Sequence, residues 1–354
     1  MRLWRELEQG LFPFMREEIG ELDDDFRLFV AVCEAVVDET DFWYAVWRGN
    51  GRPPADRLAI AKTMLLKAVL NVKCTKDVVA MLRRDPLARR LCGWSGPLAV
   101  PSESAFSRAN GEFAKRGITQ KWFDDFVRKY LGGERYESAS HDSAPVAVRA
   151  RAQNARRMAG ELDPDQPPPP PGWRQEWQRG QTAEVGLAEL PTACDWGTKR
   201  DAHGKTKHWK GGKIHAVVIG EGIPVAVKYT SASLHDSQAM MPLMKLASGR
   251  VDYGFDLADA AYDSLHISEA SIELGHVPVI DTNARNGAED DRRKMSGTER
   301  TVYRARSAVE RFFSHLLDSH GGRTVFVRDP LKIAQHLMYG ILVIAVEQTF
   351  RMLC

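Results

Sequence analysis

The sequence predicts an α/β fold with a mixed sheet and flanking helices, preceded by an all-helical N-terminal region. Three observations predict it. Residues 1 to about 133 carry apolar side chains at helical spacing and no β-rich run. From residue 136 onward, short β-rich runs alternate with helical segments, the pattern of an α/β core. Two of those runs, 213–219 and 223–229, are separated only by Gly220-Glu221-Gly222, which reads as a hairpin and adds antiparallel strands to the sheet.

In chain order, residues 26–47 show helical periodicity. Pro53-Pro54 then opens a helix over about 55–72. Helices are expected over 77–84, 102–115 and 121–130, the second with Ser102 as a cap after Pro101. Residues 136–148 alternate loosely and end in Val-Ala-Val, a strand. After the hairpin come a helix over 238–246, a strand over 253–258, a helix over 264–274 and a strand over 277–281. Two long helices, 301–317 and 331–352, close the chain. Residues 149–206 fit no regular pattern. They contain Pro167 to Pro171, read as a polyproline II spacer in an insertion within the α/β core.

The bulk properties narrow the classes. A net charge of +2 permits a nucleic-acid partner without requiring one. The five cysteines have no CxxC pair and no zinc-like spacing, which points to reduced thiols rather than a disulfide framework. The first residues are too charged for a signal peptide. The strongest apolar run, 337–346, is ten residues long, half of the ~20 that a membrane span needs. A cytoplasmic protein with no membrane partner is expected.

Three acidic residues stand in three different settings. Asp142, in Ser140-His141-Asp142-Ser143, and Asp259, in Leu257-Ala258-Asp259-Ala260, read as strand ends; Glu310 reads as the middle of a helix. Alone, an aspartate at a strand end is usually a cap or a turn residue, and Glu310 could simply pair with Arg306 four residues earlier. Strand ends in open α/β sheets are, however, where ligands gather. Val309, Phe312, Phe313 and Leu316 mark one buried helix face, and Tyr303, Arg306 and Glu310 form a stripe beside it. Three hard oxygen ligands drawn together can hold two Mg2+ ions ~3.5–4 Å apart. Residues 198–213 hold six basic side chains interleaved with Trp209, and Trp196 lies just before them. They read either as a solvated loop or as a basic strand lead toward phosphates, with Lys210, Lys213 and His215 as contacts. Asp236 reads as the cap of the helix that follows it. His203, His208 and His215 match no metal spacing.

These segments resemble the DDE transposases of bacterial insertion sequences, in the group of insertion-sequence families four and five. Residues 57–113, with Val100-Pro101-Ser102-Glu103-Ser104-Ala105-Phe106-Ser107-Arg108, are similar to the group's helical N-terminal domain. His141-Asp142-Ser143 resembles its first aspartate motif, His208-Trp209-Lys210-Gly211-Gly212-Lys213-Ile214-His215 its strand motif, and Leu257-Ala258-Asp259-Ala260-Ala261-Tyr262-Asp263-Ser264 its second aspartate motif. Val277-Pro278-Val279-Ile280-Asp281-Thr282-Asn283 is similar to a further segment. The most specific match is the signature of Tyr, two residues, Arg, three residues, Glu, six residues, Lys. Tyr303, Arg306 and Glu310 fit it, whereas Leu317 stands where the family has lysine, with Arg311 and Arg323 nearby.

The resemblance implies a ribonuclease-H-like catalytic core over 134–354, interrupted at about 149–206, after a helical domain over 1–133 that binds DNA ends or dimerises. It implies cleavage at element ends and strand transfer into target DNA, with Asp142, Asp259 and Glu310 both catalytic and metal-holding. The cofactor would be two Mg2+ ions, replaceable by Mn2+. Tyr303, Arg306, Lys210, Lys213 and His215 would contact DNA. The partners would be terminal inverted repeats and target duplex, and two ends to cut imply a homodimer. The rival readings are a decayed or repurposed DNA-binding derivative and a metal-dependent nuclease or phosphatase with no joining step.

Overall fold

The computed structural model describes residues 22–45, 53–153, 172–200, 205–283 and 295–353. Residues 127–314 and 327–330 form one compact unit built on a six-stranded sheet. Its strands are β1 (Arg135–Ala147), β2 (Asp195–Arg200), β3 (Thr206–Ile219), β4 (Ile223–Ser231), β5 (Asp252–Ala258) and β6 (Val277–Ile280). The order is β2-β3-β1-β5-β6, with β4 also paired to β3. β1 runs antiparallel to β3 and parallel to β5, and β6 continues the parallel side. This mixed open sheet with flanking helices is consistent with a ribonuclease-H-like core.

β1 is central, so both of its faces are covered. Ala139, Ser140 and His141 are buried on β1, as are Asp256, Leu257 and Ala258 on β5. On one face the helices Ser237–Ser248 and Leu265–Glu273 close a cluster of Met240, Met241, Met244, Ala258, Tyr262, Ile267 and Ala270. On the other face lie the 3-10 turn Arg304–Arg306 and the start of the helix Ser307–Ser319, with Ala308, Val309, Phe312 and Phe313 buried. The predicted β3–β4 hairpin is present. Gly220 and Gly222 both take positive φ, 51° and 114°, which favours glycine at each. A Cβ on Gly222 would also meet the Ala308 carbonyl at 3.2 Å.

Three expectations change. First, residues 149–206 are not without pattern: they hold the short helices Trp173–Arg179 and Ala183–Ala188 and the strand β2. Polar tethers hold the helix Trp173–Arg179 and the turn after it, while β2 is held by its pairing with β3. The Gln178 amide donates to the Gln238 carbonyl at 2.9 Å, and Lys245 Nζ donates to the carbonyls of Gln178, Arg179 and Gln181 at 2.9, 2.8 and 2.8 Å. Pro167 to Pro171 lie outside the described residues, as do Trp47 and His203. Second, of the two readings of the basic run the loop gives way to the strand among its described residues, because β3 begins at Thr206 and pairs with β2 in a β-ribbon. Gly197 faces Trp209 across that ribbon, and a Cβ there would meet the indole ring at 2.4 Å, so the ring lies flat over the glycine. Third, the helix expected over 301–317 is broken. Gly297–Tyr303 ends in the 3-10 turn before Ser307–Ser319 begins. Glu310 therefore sits in the first turn of a new helix rather than mid-helix.

The second unit comprises residues 1–126, 315–326 and 331–354, and its described elements are all helical. Asp24–Val36, Arg57–Val69, Thr75–Arg84, Pro86–Leu91 and Glu103–Arg116 belong to it, with most of Ile118–Tyr130. Asp23, Asp56 and Asp85 cap three of them, each accepting from a backbone N–H three residues on, at 2.8, 3.0 and 3.0 Å. Contacts also draw the C-terminal helix Pro330–Leu353 into this unit. Its run from Leu337 to Val346 is almost wholly buried, and a polar chain ties it down: Thr119 to Gln335 (2.9 Å), Gln335 to Tyr339 (3.0 Å) and Tyr339 to Asn110 (2.9 Å). Pro330–Leu353 is long and apolar enough to cross a membrane, yet most of it is packed inside protein.

Candidate active site

Asp142 is not at a strand end. It lies inside β1, two residues past the last pair with β5, where β1 continues against β3 alone. Its side chain therefore emerges over the point where the parallel neighbour stops. Asp259 follows β5 directly, with extended backbone at φ −81°, and accepts the N–H of Ala261 at 2.9 Å. The turn role and the site position coexist there. Register puts Ser140 and Asp142 on the face that meets the 3-10 turn, where Ser140 Oγ donates to the Ala305 carbonyl at 3.4 Å.

Arg306 bridges two of the three carboxylates, Asp142 and Glu310, while Asp259 acts on it only through its charge. Its guanidinium donates to Asp142 Oδ2 at 3.3 Å and to Glu310 Oε1 at 2.5 Å. Burial opposes its charge, but Tyr303, Asp142, Glu310 and Asp259 together hold its pKa above the ordinary value. Tyr303 sits 5.8 Å from the guanidinium, ring face toward it, and burial pushes its hydroxyl pKa up. Burial raises the Asp142 carboxyl to about 6 and the Asp259 charge adds to the rise; the Ser143 N–H, Lys199 and Arg306 oppose it. Lys199, on β2, is thus a neighbour of the site that sequence reasoning left inside the basic run.

The structure does not bring every candidate together. In the β1–β3 register His215 pairs with Ser143 and Lys213 with Pro145, one and three residues from Asp142, odd offsets that put both on the opposite face of the sheet. Lys213 Nζ donates to Asp236 Oδ1 and the Leu234 carbonyl, both at 2.8 Å. His215 is buried, bonded to Thr230 at 2.8 Å, and burial pushes its pKa down to about 4. Asp236 makes no cap bond. Burial opposes its ionisation, but His215 and Lys213 outweigh that and hold its carboxyl below the ordinary value. Lys210 stays on the ribbon, half-buried, near exposed Trp196, Lys199 and Lys207. Leu317 is half-buried, and the two arginines near it are engaged: Arg311 with Glu221 and Ser307, Arg323 with Asp318.

Beneath the site the sequence hid a second polar cluster. Asp256, fully buried on β5, binds His141 (2.7 Å), Ser271 (2.7 Å) and His276 (2.9 Å). Although burial opposes ionisation, these bonds hold its carboxyl well below the ordinary range. His141 adjoins Asp142 in sequence, so the cluster anchors β1 to β5 just below the point where the two aspartates emerge. Asp256 inside an apolar strand was the only available signal.

Residues 179–346 match the family model described as Transposase DDE domain, and residues 17–111 match the one described as Transposase domain (DUF772). The chain is a DDE-type transposase. The first match contains Asp259, Tyr303, Arg306 and Glu310, while Asp142 precedes it. No curated protein matches the chain. The transposase is thus an enzyme of DNA cleavage and strand transfer, in a family that generally uses divalent metal ions.

Proposed function

We propose that Asp142, Asp259 and Glu310 are the catalytic carboxylates of this transposase, that they hold two Mg2+ ions, and that Mn2+ can replace them. The observation that carries this reading is the Arg306 guanidinium, bonded to Asp142 and Glu310 and within the field of Asp259. A cation already draws two of the carboxylates toward one point, and an all-oxygen donor set fits Mg2+. Divalent cations held there supply Lewis-acid stabilisation of charge on the attacking and leaving oxygens.

The chain's own residues do the rest. Asp142 would serve as a ligand in its ionised form, which burial disfavours in the absence of a cation, and Arg306 would be left to face the scissile phosphate when its carboxylate partners are engaged. Tyr303 keeps that guanidinium oriented. Lys199, Lys207 and Lys210 on the β2–β3 ribbon meet the DNA backbone, while Lys213, His215 and Asp236 brace β3 from behind. The helical residues up to about 133 bind element ends or a second subunit. The substrates are terminal inverted repeats and target duplex, handled by a homodimer in the cytoplasm. No feature of the site favours a decayed protein.

Alanine at Asp142, Asp259 or Glu310 should abolish metal-dependent cleavage of element ends while leaving DNA binding largely intact. Normal cleavage by any one variant would remove that residue from the site. Covalent strand-transfer joints among the products separate transposition from plain nuclease action.

A further inference from the structure

Three side chains of the helical unit converge without any part in the chemistry above. His315 lies late in Ser307–Ser319, His320 just after it, and Glu347 on Pro330–Leu353. His315 Nε2 stands 3.1 Å from His320 Nε2 and 3.5 Å from Glu347 Oε2, and the three ligand atoms all lie within 4.8 Å of one another. We propose that His315, His320 and Glu347 form a zinc-class metal site, distinct in ligand chemistry from the carboxylate trio. It would clip the end of Ser307–Ser319 and the residues after it to the C-terminal helix.

Two features point to a cation rather than to a closed hydrogen-bond cluster. Glu347 Oε2 is buried and receives no hydrogen bond, although it faces an imidazole nitrogen. His320 Nδ1 bonds the Ala68 carbonyl at 3.0 Å, and a carbonyl only accepts, so Nδ1 carries the proton. In the neutral ring, Nε2 then presents a lone pair toward the other two groups, the second-shell arrangement usual for a metal-bound histidine. A His315–His320 hydrogen bond could satisfy the two rings but leaves the glutamate oxygen orphaned. Bonds of ~2.0–2.1 Å to a tetrahedral ion separate neighbouring ligand atoms by about 3.4 Å, close to the 3.1 and 3.5 Å spacings here. Two imidazole nitrogens with one carboxylate select zinc-class ions over Mg2+, which prefers oxygen. His315 is 27% and Glu347 16% exposed, so an ion has an entry path and water can take a fourth position. Arg351 holds the other oxygen, Glu347 Oε1, at 2.6 Å, and competes for the carboxylate charge.

The test uses the full-length chain carrying Asp142→Asn, Asp259→Asn and Glu310→Gln, stripped of metal and titrated with ZnCl2 in excess Mg2+. One zinc equivalent should bind. Adding Glu347→Gln should weaken it by about 100-fold or more, whereas adding Arg351→Ala should tighten it. Co2+ in place of zinc should give the visible absorption of a low-coordinate site, lost with Glu347→Gln. Arg351→Ala leaves all three ligands in place, so its gain cannot come from misfolding. Zinc binding that is absent, or equally strong with Glu347→Gln, would overturn the site.

Discussion

Replacing Asp142 by asparagine should stabilise the metal-free transposase while destroying its activity. Burial and the nearby Asp259 raise the Asp142 carboxyl from an ordinary 3.8 to about 6. At ~1.4 kcal/mol for each tenfold change in the proton equilibrium, holding it ionised in the fold costs about 3 kcal/mol. Below pH 4 the folded and unfolded chains both keep the proton, and the cost is absent. Between about 4 and 6 the unfolded chain releases it first, so stability falls as pH rises. Above about 6 the full penalty applies. Asparagine is nearly isosteric, keeps an acceptor for the Ser143 N–H at 2.7 Å and carries no charge. It weakens the Arg306 contact, so a gain of about 2 kcal/mol at pH 7.5 is the reasonable figure. Urea unfolding in EDTA should show that gain at pH 7.5 and almost none at pH 4. Adding Mg2+ should raise the wild-type midpoint and leave Asp142→Asn unmoved. A variant less stable than wild type at pH 7.5 in EDTA would refute the claim that this carboxyl is held against its own solvation.

Other outcomes follow from the same geometry. Arg306→Gln should lower the cleavage rate by ~10²–10³-fold and move the acidic limb of its pH profile upward, because the guanidinium no longer favours ionised Asp142. Asp256→Leu breaks bonds to His141, Ser271 and His276 and should cost about 3–5 kcal/mol in urea unfolding. The stabilising effect of that carboxylate is present above pH ~4 and is lost as acid protonates it, since its folded pKa is depressed. Gly211→Ala would place a Cβ 2.0 Å from the Val146 carbonyl on β1 and should cost about 3 kcal/mol or more by thermal unfolding. Chelation of divalent cations should stop cleavage reversibly, with Mn2+ restoring it as Mg2+ does.

Much of the architecture was legible before any coordinates. Periodicity separates the helical first part from the α/β part, and glycine placement marks the β3–β4 hairpin. The helix over 173–179 was illegible because Lys245 and Gln178 tie it down by bonding backbone groups, contacts with no sequence period, and β2 because its order comes from pairing with β3. The break at 304–306 was hidden because Arg304-Ala305-Arg306 suits an α-helix as well as a 3-10 turn. Lys213 and His215 looked like site residues because they sit in a basic motif. A period of two along β3, set against β1, sends them to the other face.

The sequence by itself determined which residue types are present, where apolar faces recur and which carboxylates stand in strand-turn or helix settings. Those are local properties, carried by neighbours within a few positions. Only the tertiary structure decided that Arg306 reaches Asp142, 164 residues away, while Lys213 does not. Strand register and the order of strands in the sheet settle such encounters, and both depend on which distant segments can bury their apolar faces together.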